Sequence, residues 1–357
     1  MLCRRCPGRA LASRPEEHTM RRSLSPARRI AMAVIAVLTF PAQAALAEQS
    51  CPGRSIIGDL KTRSPELHAR VTDAAATTSN AGHVLWRIER EGRAASHLLG
   101  TIHLTDPRVN VLSAELRSAL DRAGTVALEV ADLSPEAMAG AMAKSGDLVT
   151  FADGRNLATL LSPEEIAGVE QILVGAGLPA EAAPVFKPWV VSLMLAVSEC
   201  ERRKVQSGKL VLDARIASLA RDAGKNVVGL ETIDSQLAAM ASLPDAAQLD
   251  MLRAGLKYVD RIDDNMETLL QLYLDRQLGM AWPLQIALAE KVGIGREAFA
   301  EFEQRLVIDR NLRMVEAARP LLDKGNVLVA VGALHLPGER GLVALLRKAG
   351  YTLTPIE

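Results

Sequence analysis

The 357-residue sequence predicts an α/β protein, a mixed sheet formed from both ends of the chain with a large, mostly helical insertion between them. Three observations carry that prediction. Apolar runs that read as strands occur within residues 84–131 and again within 327–356, whereas the interval between them is dominated by helical periodicity. Strand–helix–strand order occurs at 96–131 and at 327–356, and connections of that kind are right-handed crossovers. Both regions also carry the same pattern at the end of a strand, Gly100-Thr101-Ile102-His103-Leu104 and Gly332-Ala333-Leu334-His335-Leu336.

Residues 1–47 read as a secretory signal peptide. Arg21, Arg22, Arg28 and Arg29 precede an apolar stretch at 30–40 that runs to the small-residue site Ala45-Leu46-Ala47, so cleavage is expected before Glu48. Met20-Arg21-Arg22 makes a more ordinary start than Met1, and Cys3 and Cys6 fall outside the mature chain either way. A twin-arginine signal and an uncleaved anchor are the alternatives, although the apolar core falls short of the roughly 20 residues that a span requires. Glu48 stands where a lipid-modified cysteine site would want leucine. The mature chain, 48–357, is expected to be a single soluble domain, secreted or periplasmic, with its helical insertion at about 134–290.

The whole chain balances 42 basic against 42 acidic residues, and removing the leader takes away eight arginines and two glutamates, leaving 34 against 40. That acidic balance argues against a nucleic-acid partner. Aromatic content of 3% means that the core is built from Leu, Val, Ile and Ala. Cys51 and Cys200 remain, and an even count in an oxidising compartment predicts a disulfide between them; two separate buried thiols are the rival reading.

Taken in order, residues 84–90 alternate apolar and polar, turn at Glu91-Gly92-Arg93 and return through 96–103, a β-hairpin whose second strand delivers the first histidine. Residues 111–123 form a helix with Leu112, Leu116 and Leu120 on one face, stopped by Gly124, and 125–131 a strand that contains Glu129. Ser134-Pro135 and Ser162-Pro163 read as helix N-caps with proline at the first helical position, the second completed to a capping box by Glu165. A helix at 213–223 precedes a strand at 226–230 that ends in Glu231. One long helix is expected at 296–322, then the strand 327–331, a helix at 339–349 stopped by Gly350, and a last strand at 351–356.

In α/β sheets ligands bind beyond the carboxyl ends of the strands. His103, Glu129 and His335 lie at or near those ends, and two imidazoles with one carboxylate form a metal set, able to hold zinc, manganese, cobalt or iron with a position open for water. Such an ion lowers the pKa of its water to about 7. Gly100 and Gly332 leave room where a side chain would obstruct a close approach. Each histidine taken alone reads rather as a hydrogen-bonded residue at a strand end; it is the pair that points to a joint site. Glu231 reads as a further ligand or general base, or else as a capping carboxylate for the helix near Ser235. Arg310 and Asn311 read as groups that orient an anionic substrate or intermediate, against the commoner role of a helix-surface pair. His68, His83 and His97 have no usable partner spacing. The chain contains no His-Glu-x-x-His, no Gly-x-Ser-x-Gly and no P-loop, and Gly293-Ile294-Gly295 follows a helix, which defeats a dinucleotide reading.

These segments resemble the TraB/PrgY/GumN family, which includes the TIKI-type metalloproteases of animals. The resemblance rests on 98–103, on Ala127-Leu128-Glu129, on Gly229-Leu230-Glu231-Thr232 with Gln236, on Arg310-Asn311 and on 331–338. It implies a metal-dependent hydrolase site at His103, Glu129 and His335, with manganese or cobalt as the ions used by TIKI-type members. Without a C-terminal anchor, the chain is more similar to the bacterial GumN-like branch, for which the resemblance implies no substrate. The leading expectation is an exported metal-dependent hydrolase, peptidase-like, acting on a peptide or small molecule, in which Glu231 serves as base or ligand and Arg310 stabilises developing negative charge. The rivals are a non-catalytic protein that binds a peptide or other ligand on the same scaffold, and an esterase-like hydrolase that needs no metal.

Overall fold

A computed structural model describes residues 51–357, which pack as one unit; the expected signal peptide, Cys3 and Cys6 lie outside the described residues. Six strands, β1 (Leu85–Glu89), β2 (Ser96–Thr101), β3 (Thr125–Leu128), β4 (Asn226–Gly229), β5 (Val327–Gly332) and β6 (Thr352–Pro355), form one mixed sheet in the order β4-β3-β5-β2-β1-β6. β4, β3, β5 and β2 run parallel, and β1 is antiparallel to β2 and to β6. The strand from the C-terminal region thus lies between the two strands of the first crossover, which is how both ends of the chain build one sheet.

The helices that position the site are α1 (Ala114–Arg122), α2 (Leu212–Asp222), α3 (Ile233–Ala241), α4 (Asp309–Leu322) and α5 (Leu342–Lys348). Alternation along β5 explains how they cover both faces. Val327, Val329 and Val331 pack with Met314, Val315 and Ala318 of α4 and with Leu342, Val343 and Leu346 of α5. Leu328 and Ala330 face the other way, onto Leu116 and Leu120 of α1 and Ile216, Ala217 and Ala220 of α2. A strand covered on both faces must be apolar throughout, as β5 is. Further helices between β3 and β5 enclose cores of their own, one of them around Leu157, Leu173, Val191 and Leu252.

Several boundaries differ from the sequence expectation, each for a local reason. The helix after the hairpin begins at Ala114 because Ser113 caps it, its hydroxyl accepting the Leu116 N–H; Leu112 is buried outside it and Val111 is exposed. β3 ends at Leu128, so Glu129 stands just beyond the strand and not within it, although its carbonyl still accepts the Glu231 N–H at 2.8 Å. The last helix begins at Leu342 because Gly341, in extended conformation, is its N-cap. The expected unbroken helix at 296–322 is three pieces: a helix at Arg296–Phe302, a π-helical segment at Glu303–Ile308, and α4. Wide turns of this kind often mark functional sites. The Ser162 capping box is present as expected, and Cys51 is disulfide-bonded to Cys200 with Cα atoms 5.8 Å apart. No helix among the described residues is long and apolar enough to cross a membrane.

Candidate functional site

Strand register brings the candidate residues together. Thr101 lies opposite Gly332, Leu128 opposite both Ala330 and Gly229, so the carboxyl ends of the four parallel strands form one edge. His103, Glu129, Glu231 and His335 each follow one of those ends within three residues. Gly332 is the point they surround. A Cβ placed on it would lie 3.1 Å from Glu129 Oε1, 3.6 Å from His335 Cδ2 and 3.7 Å from His103 Nε2. Gly100 has a different task, since a Cβ there would meet the Ala333 backbone at 3.0 Å; its bare backbone lets the second histidine segment seat against β2.

Each imidazole is held by one nitrogen. His103 Nδ1 is 2.8 Å from Asp213 Oδ2, and Asp213 Oδ1 accepts the Thr101 hydroxyl at 2.5 Å. Asp213 is buried in the first turn of α2 and, among the described residues, pairs with no other cation. Its carboxylate pushes the His103 imidazole up to about 9. The ring is 58% exposed, so water screens part of that attraction. His335 Nδ1 lies 2.7 Å from Asn311 Oδ1, while Asn311 Nδ2 donates to the Arg340 carbonyl at 2.9 Å. That second bond fixes the amide orientation, so His335 donates from Nδ1 and turns a free Nε2 toward Glu129 Oε1, 3.7 Å away. Burial pushes His335 down to about 4, so its ring is neutral at physiological pH.

Glu129 is the centre of the charge network. Its Oε1 accepts the Gly332 N–H at 2.6 Å, and its Oε2 accepts Arg310 Nη2 at 2.5 Å and Gln236 Nε2 at 3.1 Å. Burial alone would raise its pKa, but His335, Arg310 and His103 outweigh burial and hold it near 2. Arg310 bridges Glu129 to Glu231, donating to Glu231 Oε2 from Nε at 2.9 Å and from Nη2 at 2.7 Å. Burial works against the Arg310 charge, but the two carboxylates more than restore it and raise its pKa. Glu231 Oε1 is buried without a hydrogen bond and faces Arg313 at 3.6 Å.

The alternative surface role for Arg310 and Asn311 is therefore overturned: Asn311 is 1% exposed, and the Arg310 side chain is enclosed by two carboxylates. The capping role for Glu231 is overturned as well. Thr232 caps α3, its hydroxyl accepting the Ser235 N–H, and the glutamate carboxylate serves Arg310 instead. Asp213 was not singled out in the sequence, where it reads as an ordinary first-turn acid. Nor was Glu201, whose buried carboxylate accepts both the N–H and the hydroxyl of Thr105 and so anchors the loop that carries His103. Its neighbour Cys200 forms the disulfide.

Among the described residues no group of three or more His, Cys, Asp and Glu side chains is gathered closely enough to hold a metal ion as it stands. Around Gly332 stand the Nε2 edges of two imidazoles, that of His103 protonated at neutral pH, and one carboxylate oxygen, with a guanidinium fixed alongside.

The model of the TraB/PrgY/gumN family matches residues 84–355. Two curated relatives, each named "Uncharacterized protein YbaP", from Shigella flexneri and from Escherichia coli (strain K12), are 24% identical over 269 residues, covering 74% of this chain and 94% of the relative. A "Metalloprotease TIKI homolog" from Amphimedon queenslandica is 28% identical over 184 residues, 46% of this chain and 36% of that protein. No solved structure matches the chain significantly. The matched span runs from the start of β1 to the end of β6 and takes in every residue of the cluster around Gly332, and on that ground the chain belongs to the TraB/PrgY/gumN family.

Proposed function

We propose that this protein is an exported, metal-dependent hydrolase, peptidase-like, with His103, Glu129 and His335 as the residues that hold the ion. The observation that carries the reading is the convergence of His103, His335 and Glu129 on Gly332, where an added Cβ would lie 3.1 Å from Glu129 Oε1, 3.6 Å from His335 Cδ2 and 3.7 Å from His103 Nε2. Two imidazoles and a carboxylate are the residue types that hold an ion of the zinc, manganese or cobalt kind, and His103 would give up its Nε2 proton to bind it. Both imidazoles have their other nitrogen engaged by Asp213 or Asn311, the outer-shell arrangement that orients ligating histidines. Glu129 Oε1 keeps a lone pair beyond the one given to the Gly332 N–H. Bound there, the ion would make hydroxide available near neutral pH.

The residues of the chain supply the rest. Arg310 places a fixed positive charge beside the site, where a tetrahedral oxyanion would develop, and Glu231 keeps that guanidinium in place. The TIKI homolog named as a metalloprotease supports the choice of hydrolase, and the Cys51–Cys200 disulfide supports an oxidising compartment outside the cytosol. A metal-free hydrolase is the second reading, favoured by the absence of a closed ligand cluster among the described residues.

The experiment is metal analysis by plasma mass spectrometry of mature protein purified without chelator or nickel, beside His103→Ala and His335→Ala, with hydrolysis of a fluorogenic peptide pool measured in parallel. Near-stoichiometric metal that both substitutions remove, with chelator-sensitive turnover, is the expected result. Turnover that survives chelator selects the metal-free hydrolase, and saturable peptide binding without turnover selects the binding protein.

A further inference from the structure

A cavity of about 360 Å³ adjoins the site and shares Asn311 with it. Its wall includes Leu334, the residue before His335, together with Glu303 and Val307 of the π-helical segment and Trp282. The π-helical segment thus borders this cavity while its continuation, α4, sends Arg310 to the two glutamates. At the lower end of the roughly 300–1,000 Å³ that ligand pockets span, the volume suits one side chain or small fragment.

The chemistry of the wall is selective. Trp282 is held by Phe302, stacked at 5.3 Å, and by Phe299 edge-on at 5.8 Å, so the indole is a rigid surface. Leu278, Val307, Ile308 and Leu334 add aliphatic wall, and Thr77, Thr78 and Ser79 add hydroxyls. Two of the charged groups that line the cavity are engaged: Glu339 accepts the Ser79 hydroxyl at 2.8 Å, and Arg340 donates to Gln304 Oε1 at 3.1 Å. Glu303 is half-buried and, among the described residues, has neither hydrogen bond nor ion pair. An unpaired carboxylate at an apolar, indole-walled cavity selects a group with an apolar stem and a positive end.

We infer that this cavity is a specificity subsite of the adjoining centre and takes a lysine- or arginine-like side chain of the substrate, its stem along Trp282, Val307 and Leu334 and its cation at Glu303. The inference rests on the hydrolase reading for its meaning, and its test separates the two. Trp86 and Trp189 are 3% and 1% exposed, so Trp282 is the one partly exposed tryptophan of the three and reports on the cavity by fluorescence. Mature protein is titrated with Nα-acetyl-lysine amide, with the isosteric norleucine amide and with the glutamate amide, in wild type, Glu303→Gln and Trp282→Phe.

The expected result is a saturable fluorescence change with the lysine probe, at least tenfold weaker for the norleucine probe and for Glu303→Gln, and absent in Trp282→Phe. In fluorogenic peptides that differ only in a lysine or norleucine flanking the cut bond, Glu303→Gln should lower kcat/KM at least tenfold for the lysine peptide alone. Equal binding of all three probes, or an unchanged lysine preference in Glu303→Gln, overturns the subsite. Probe binding without any peptide turnover supports the cavity while removing the hydrolase; turnover without probe binding does the reverse.

Discussion

Gly332→Ala tests the geometry of the centre with one methyl group. The glycine has φ −52° and ψ 135°, a conformation open to any L-residue, so the substitution brings no backbone strain. Exchanging glycine for alanine at a compatible position stabilises a protein by about 0.4–1 kcal/mol through the unfolded state. The added carbon would stand 3.1 Å from Glu129 Oε1, closer than ordinary contact, so the carboxylate has to give by a few tenths of an ångström. Melting temperature should therefore hold within the scatter of a surface variant. Function should not, because the methyl stands among His103, Glu129 and His335 and moves the carboxylate; misplacement by about 1 Å costs on the order of 10²-fold in rate, so a shift of a few tenths should lower it several-fold. The assay pairs thermal unfolding with metal content and kcat/KM. Gly100→Ala is the contrast: its Cβ would meet Leu336 Cδ2 at 2.9 Å and the Ala333 backbone at 3.0 Å, overpacking that costs about 1–3 kcal/mol. A Gly332→Ala protein with wild-type metal uptake and turnover would refute the centre, as would one that unfolds as readily as Gly100→Ala.

Asp213→Asn keeps the shape but removes the charge that pins His103 Nδ1, and loss of such a partner lowers metal affinity about 10–100-fold; a competitive chelator titration in which the variant matches wild type would discard that role. Burial holds His335 near 4 in the folded protein, against 6.5 for the free side chain. Between those values the unfolded chain largely binds the proton and the folded one largely does not, so this group makes stability rise with pH across the window, by about 1.5 kcal/mol from pH 5 to 6.5. Urea unfolding at the two pH values should show that acid-side loss reduced in His335→Gln, and an identical loss would show that the ring titrates freely. Serine at both Cys51 and Cys200 opens a link between residues 149 apart in sequence and should cost about 2–5 kcal/mol, read as a lowered urea midpoint; an unmoved midpoint would mean that the bridge constrains nothing.

Much of this centre was legible because strand ends announce themselves. An apolar run that stops at Gly-x-x-His, twice, and an acid placed straight after an apolar run at Glu129 and at Glu231 are local patterns, and parallel pairing turns such ends into a shared edge. Asp213 and Glu201 lack such a signal, because each sits on a helix whose apolar spacing explains its neighbours while its own partner lies far away in sequence; Asn311 was singled out with Arg310 to orient an anionic group, whereas its side chain holds His335. The π-helical segment was hidden for a related reason: its sequence keeps helical periodicity throughout, and the wide turn shows only in backbone geometry. Glycine made the same motif read alike in two places where its work differs, one glycine admitting backbone and the other leaving space.

The position of β5 has a consequence for the birth of the molecule. It is the strand between β2 and β3, pairing His97 with Leu328 on one side and Val126 with Leu328 on the other, so neither early strand has its main neighbour until nearly the whole chain has been synthesised. β1 likewise waits for β6, at the very end. Pairings of such long range make for slow folding, and a nascent chain of this design keeps its sheet open until its last strands arrive. A polypeptide threaded through a translocation channel in an unfolded state would benefit from that delay. Truncation before residue 327 should leave the early hairpin without a sheet to join.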